Sequence, residues 1–172
     1  MRTLLAVLIL TMVLPLTLFA QTEEITDPVL ADLMKQRDDV KTQMAEAKES
    51  GDNDTYDLLN ASWEELEGKI TARYDLIKNS KKEAKRLSDE GSSYRRDKKY
   101  AQAEASYTKV LNYIEFIGED KIPSIKGIIG FCQERQKLYP KALATYQEVI
   151  DIQPENANAY AGKGRCAARM GK

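Results

Sequence analysis

Histidine is absent from this sequence of 172 residues. Its absence removes the Ser-His-Asp triad, the Cys-His pair and every histidine-ligated metal site together, and leaves only lysine or carboxylate chemistry open to an enzyme. Net charge is nearly absent too: 26 basic against 27 acidic side chains give a formal charge of -1. Without a basic surplus nothing drives phosphate binding, so nucleic acid is not expected as a partner. The chain also lacks strictly alternating apolar runs bounded by turn residues, which argues against a sheet. Gly162-Lys163-Gly164 lacks the spacing and the trailing Ser or Thr of a phosphate loop. Asp52-x-Asp54 begins like a calcium loop, but Asp57 stands where glycine is needed and Trp63 where the bidentate glutamate belongs. No catalytic residue, metal or cofactor is therefore expected, and the chain reads as a non-enzyme.

What is there is helical. Charged residues make up 31% of the chain, glycine and proline are few, and Ala, Leu, Lys and Glu are abundant, a composition that favours an all-α fold. Residues 1–20 read as a secretory signal peptide: Arg2, an apolar core from Leu4 to Leu14, Pro15, and a cut between Ala20 and Gln21. The apolar span also suits an uncleaved membrane anchor, the one route by which a membrane would be involved. Residues 21–27 form a linker, with Asp27 placed to cap a helix and Pro28 to start it. Leu30, Leu33, Val40, Met44 and Ala47 then make a heptad stripe with Arg37 at one seam position, and ESGDND (49–54) breaks it. A second helix carries Leu59, Trp63, Leu66, Ile70, Ile77, Ala84 and Leu87 along one face, and Gly68 weakens it without ending it. Residues 28–83 are thus read as an antiparallel helical hairpin, with an intermolecular coiled coil and a degenerate extra repeat as alternatives. Asn53-Asp54-Thr55 and Asn60-Ala61-Ser62 match the glycosylation acceptor pattern.

From Ala84 onward the sequence repeats. Gly91, Gly130 and Gly164 each lie seven residues after Ala84, Pro123 and Ala157, and Ala103-x3-Tyr107 matches Ala142-x3-Tyr146, with Pro154 closing the second unit. Pro123 and Ala157 are 34 apart; Ala84 and Pro123 are 39 apart, and the five extra residues are placed at 118–122. These offsets resemble the tetratricopeptide repeat (TPR), about 34 residues long with the pattern W-x2-L-G-x2-Y, A-x3-F, P. The departures are the missing tryptophan, Gln133 at position 11 of the second unit, and a third unit that stops after its first helix. The resemblance implies an α-solenoid of helix pairs over residues 84–172, the last unit being either part of a longer array or a capping helix. Cys132 and Cys166 share one repeat position. Equivalent points in stacked repeats lie about 8–10 Å apart, beyond the roughly 7 Å limit for a disulfide, so both read as buried packing residues.

In the family it resembles, positions 2, 5, 9, 12 and 13 of each first helix line a concave groove. Here that implies Lys85, Ser92, Arg95, Phe131, Glu134 and Arg165, together with an arginine column of Arg96, Arg135 and Arg169. Guanidinium groups beside an aromatic ring suit an acidic or C-terminal peptide. The lysine and asparagine carboxylate clamp of chaperone-binding TPRs is missing, Ser88 and Ser92 standing at two of its slots. The resulting expectation is an exported scaffold or adaptor of the bacterial periplasm or cell envelope that holds a protein or peptide partner, acidic in character. Two alternatives stay open: a docking module of a longer protein with a catalytic domain beyond residue 172, and a homo-oligomer assembled through the N-terminal helices.

Overall fold

The computed structural model describes residues 27–171; the expected signal peptide and all of the linker but Asp27 lie outside the described residues. Among the described residues the fold is all-helical, with no strand. Helix α1 is Pro28–Ser50, and its start is the one the sequence favours: the Asp27 carboxylate accepts from the Leu30 N–H at 2.7 Å, and proline occupies the first turn. It ends at Gly51, whose φ of 76° is left-handed and lets its N–H turn back onto Ala47 and Lys48 carbonyls. Asp52 then caps α2, Asn53–Arg96, accepting from Thr55 N–H at 3.0 Å.

Helix α2 is unbroken over 44 residues, about 66 Å at 1.5 Å per residue. The expected boundary between residues 83 and 84 thus falls within one continuous helix. Partners along α1 and α2 run in opposite senses: Asp27 meets Arg73, whereas Arg37 meets Glu67 at 3.5 Å and lies 5.8 Å from the Trp63 ring. At the junction Arg73 holds three elements together. It donates to both Asp27 oxygens (3.1 and 2.6 Å) and to Glu115 (2.6 Å), and its guanidinium lies 5.5 Å from the Phe116 ring.

The remaining helices are α3 (Tyr100–Val110), the single turn α4 (Ile114–Ile117), α5 (Ile122–Arg135), α6 (Tyr139–Ile152) and α7 (Ala157–Arg169). Between α3 and α5 the structure differs from the expectation that five extra residues sit harmlessly at 118–122. The irregular stretch begins earlier, with 3-10 turns at Leu111–Tyr113 and Glu119–Lys121 flanking α4. Its apolar side chains explain why: Leu111, Tyr113, Ile114 and Ile117 pack against a core of Ala84, Leu87, Tyr107, Val110, Ile125 and Ile129, which joins α2, α3 and α5. A second core joins α6 and α7 through Tyr146, Val149, Ile150, Ala159 and Cys166.

Helices α2, α5 and α7 end alike. Lys98, Lys137 and Gly171 have φ of 60°, 63° and 71°, and in the first two the chain closes with the same three bonds, such as Lys99 N–H to the Tyr94 carbonyl and Leu138 N–H to the Gln133 carbonyl. Two of the three are lysines in a conformation that costs an L-residue about 1–2 kcal/mol, which the repeated hydrogen-bond pattern offsets.

Candidate partner-binding groove

The glycines set how closely these helices approach. A Cβ added to Gly91 would stand 2.9 Å from the Tyr107 ring, and one added to Gly130 would stand 3.0 Å from Tyr146. Each tyrosine is 2–3% exposed and lies one turn after a fully buried alanine, Ala103 or Ala142. Gly162 on α7 closes on the same Tyr146 ring, where an added Cβ would come to 2.6 Å of Cε1 and closer still to Cζ. Gly164, by contrast, has nothing within 4 Å, and Pro154 is exposed in the turn after α6.

This packing leaves a groove of about 460 Å³ lined by the end of α2, Asp120 in the turn before α5, α5 itself, Tyr146 of α6 and the start of α7. Arg95, Phe131 and Arg165 all line it, with the side-chain amides of Gln153, Asn156 and Asn158 at its α7 end. Gly127 is in its floor, with no atom within 4 Å of where a side chain would start. Asn156 is fixed by its own helix, accepting from the Ala159 N–H at 3.0 Å while its amide donates to Gln153 at 3.0 Å.

The six cationic or aromatic residues singled out from the sequence do not form one surface. Arg96, Arg135 and Arg169 are exposed and outside the lining of the groove. Arg135 instead lies 5.4 Å from the Tyr100 ring, which meets Phe131 edge-on at 6.0 Å. Arg165 is in the groove but already paired, donating to both Glu134 oxygens at 2.8 and 2.9 Å. Glu134 also accepts from the Tyr146 hydroxyl at 3.1 Å. The Arg165 contact, against the opposing effect of burial and with help from Tyr146, holds the Glu134 carboxyl below its usual value. Arg95 has no ion-pair partner among the described residues, so it is the groove's uncommitted cation.

Sequence reasoning missed a polar network behind the groove. Gln133, 2% exposed, donates to Glu104 at 3.0 Å and accepts from the Thr145 hydroxyl at 2.8 Å; Gln136 and Lys141 also donate to Glu104, each at 2.7 Å. Burial opposes ionisation of Glu104, but these three donors together outweigh it and keep the carboxyl below its ordinary value. The available signal was Gln133 itself, a polar residue in a position otherwise apolar. Cys132 and Cys166 are free and fully buried, and burial pushes the Cys132 thiol up to about 11. Among the described residues there is no group of three or more potential ligands placed to hold a metal, and no helix long and apolar enough to cross a membrane. Comparison with family models, curated proteins and solved structures returns no match.

Proposed function

We propose that the chain is an exported, non-enzymatic scaffold: a helical hairpin (α1 with α2) carrying TPR-like helix pairs that hold an acidic polypeptide in the groove between α2, α5 and α7. One observation carries the reading. Arg95, Phe131 and Arg165 come from three different helices and line one open groove, with amide side chains along one end. A guanidinium, an aromatic face and backbone-pairing amides are the elements that bind an extended acidic peptide. The repeat reading draws support from the matched glycine and tyrosine contacts, Gly91 with Tyr107 and Gly130 with Tyr146, and from the shared left-handed residues that end α2, α5 and α7. The export reading rests on the sequence of residues 1–20 alone.

The test is anisotropy of fluorescein-labelled acidic peptides against scrambled-charge controls. Arg95→Glu and Phe131→Ala weaken binding, each by about tenfold. Glu134→Gln strengthens it by a few-fold, because it releases the Arg165 guanidinium while its amide oxygen still accepts from Tyr146. Equal affinity for acidic and basic peptides, or indifference to all three substitutions, would remove the groove as the binding site. N-terminal sequencing of the exported product, expected to start at Gln21, checks the location.

A further inference from the structure

Among the described residues, no other helix covers the outer side of α2. Leu58 is 75% exposed and Leu76 is 47% exposed, the first being the most exposed large apolar side chain among the described residues. Between them, at steps of three or four residues, come Ala61, Glu65, Gly68 and Ala72, all exposed. These six share one stripe of the helix, turned away from the Leu66 and Ile70 face that packs on α1. Gly68 has nothing within 4 Å of its missing Cβ, so a second backbone can approach closely there.

Charge along α2 is segregated about the same point. Asp52, Asp54, Asp57, Glu64, Glu65 and Glu67 precede Gly68 with no basic residue among them, whereas residues 69–86 carry seven basic side chains against Asp75 and Glu83. Helix α1 is of mixed charge and offsets one side chain in each half, Arg37 pairing with Glu67 and the cap Asp27 with Arg73. The stripe and the charges share one symmetry: Leu58 and Leu76, and likewise Glu65 and Lys69, are equidistant from residue 67, and Asp57 and Lys78 are nearly so. A helix with this pattern complements itself when two copies run antiparallel. Leu58 of each then meets Leu76 of the other, and each acidic half lies on a basic half. Parallel packing would set acid against acid and bring the two helical bodies alongside one another, whereas antiparallel packing sends them to opposite ends.

We propose that this protein forms an antiparallel dimer with a second copy of itself through the outer face of α2, the helices crossing beside Gly68. One helix pair buries less than the roughly 1,600 Å² of a standard interface, so the dimer is held at micromolar strength.

Sedimentation equilibrium of the purified protein from about 5 to 200 µM covers that range. The mass should rise from monomer to dimer, and the rise should shift to higher concentration in 0.5 M salt. Leu58→Glu with Leu76→Glu should hold the chain monomeric, with helicity unchanged by circular dichroism because neither side chain is in the core. A charge-exchange pair tests the register. Asp57→Lys with Glu65→Lys in one chain, and Lys69→Glu with Lys78→Asp in another, should each be monomeric alone and should dimerise when mixed. A wild type that stays monomeric throughout, a dimer that survives the leucine changes, or a mixture that fails to associate overturns the proposal.

Discussion

Gly162 and Gly164 are two residues apart on α7 and should respond oppositely to the same change. Replacing either by alanine gains helix propensity of up to about 1 kcal/mol. At Gly164 nothing lies within 4 Å, so Gly164→Ala should show that gain whole. At Gly162 the new methyl overlaps the Tyr146 ring, and the ring has little room to retreat. The ring also abuts Gly130, where a Cβ would already be 3.0 Å away, and its hydroxyl is tied to Glu134. Overpacking of this kind costs about 1–3 kcal/mol. Because both variants share the propensity term, the difference between them isolates the packing term: Gly162→Ala should be the less stable by that amount. Urea denaturation followed by far-ultraviolet circular dichroism gives the two midpoints, and hydrogen exchange of the α7 amides shows whether the helix has loosened from α6. If Gly162→Ala is as stable as Gly164→Ala, with α7 equally protected, Tyr146 is not clamped between α5 and α7 and the packing account fails.

Removing the guanidinium that joins α1, α2 and α4 should be costly: Arg73→Ala loses charged hydrogen bonds to Asp27, which is 11% exposed, and should lower stability by about 1–3 kcal/mol in urea titrations. Arg73→Lys keeps the charge without the fork and should recover only part of that loss. Gln133→Leu takes the acceptor from the Thr145 hydroxyl and leaves Glu104 with two donors, Gln136 and Lys141, in place of three, and should cost about 1–2 kcal/mol, despite putting a more apolar residue in a buried site. Acid should destabilise the fold. Asp27 is lowered from 3.8 by its Arg73 hydrogen bond against the cost of burial, and Glu104 and Glu134 are lowered from 4.5. The unfolded chain therefore takes up protons first, so stability holds at neutral pH and falls as pH drops through about 4.5 and below; Arg73→Ala should flatten the part of that fall due to Asp27.

Much of this fold was legible because its signals are local. Asp27, Gly51 and Asp52 mark the ends of α1 and the start of α2 through bonds spanning three or four residues, and the apolar spacing of Leu66, Ile70, Ala84 and Leu87 identifies the buried side of α2. Gly91 with Tyr107 and Gly130 with Tyr146 were legible for a related reason: each pair is sixteen apart and joins one helix to its neighbour across a short turn. The left-handed Lys98 and Lys137 were not, since lysine carries no sequence mark of positive φ. The groove residues were only half legible. Periodicity gives a helix face but not the fate of a charge on it, and adjacent positions point about 100° apart. Arg95 therefore lines the groove while Arg96 does not, and Arg135 stacks on Tyr100, 35 positions earlier in the chain. Arg165 finds Glu134 31 residues away, on α5. Which cation is left uncommitted is thus decided by how the helices stack, and a substitution that moves α7 against α5 changes the groove's charge without touching an arginine.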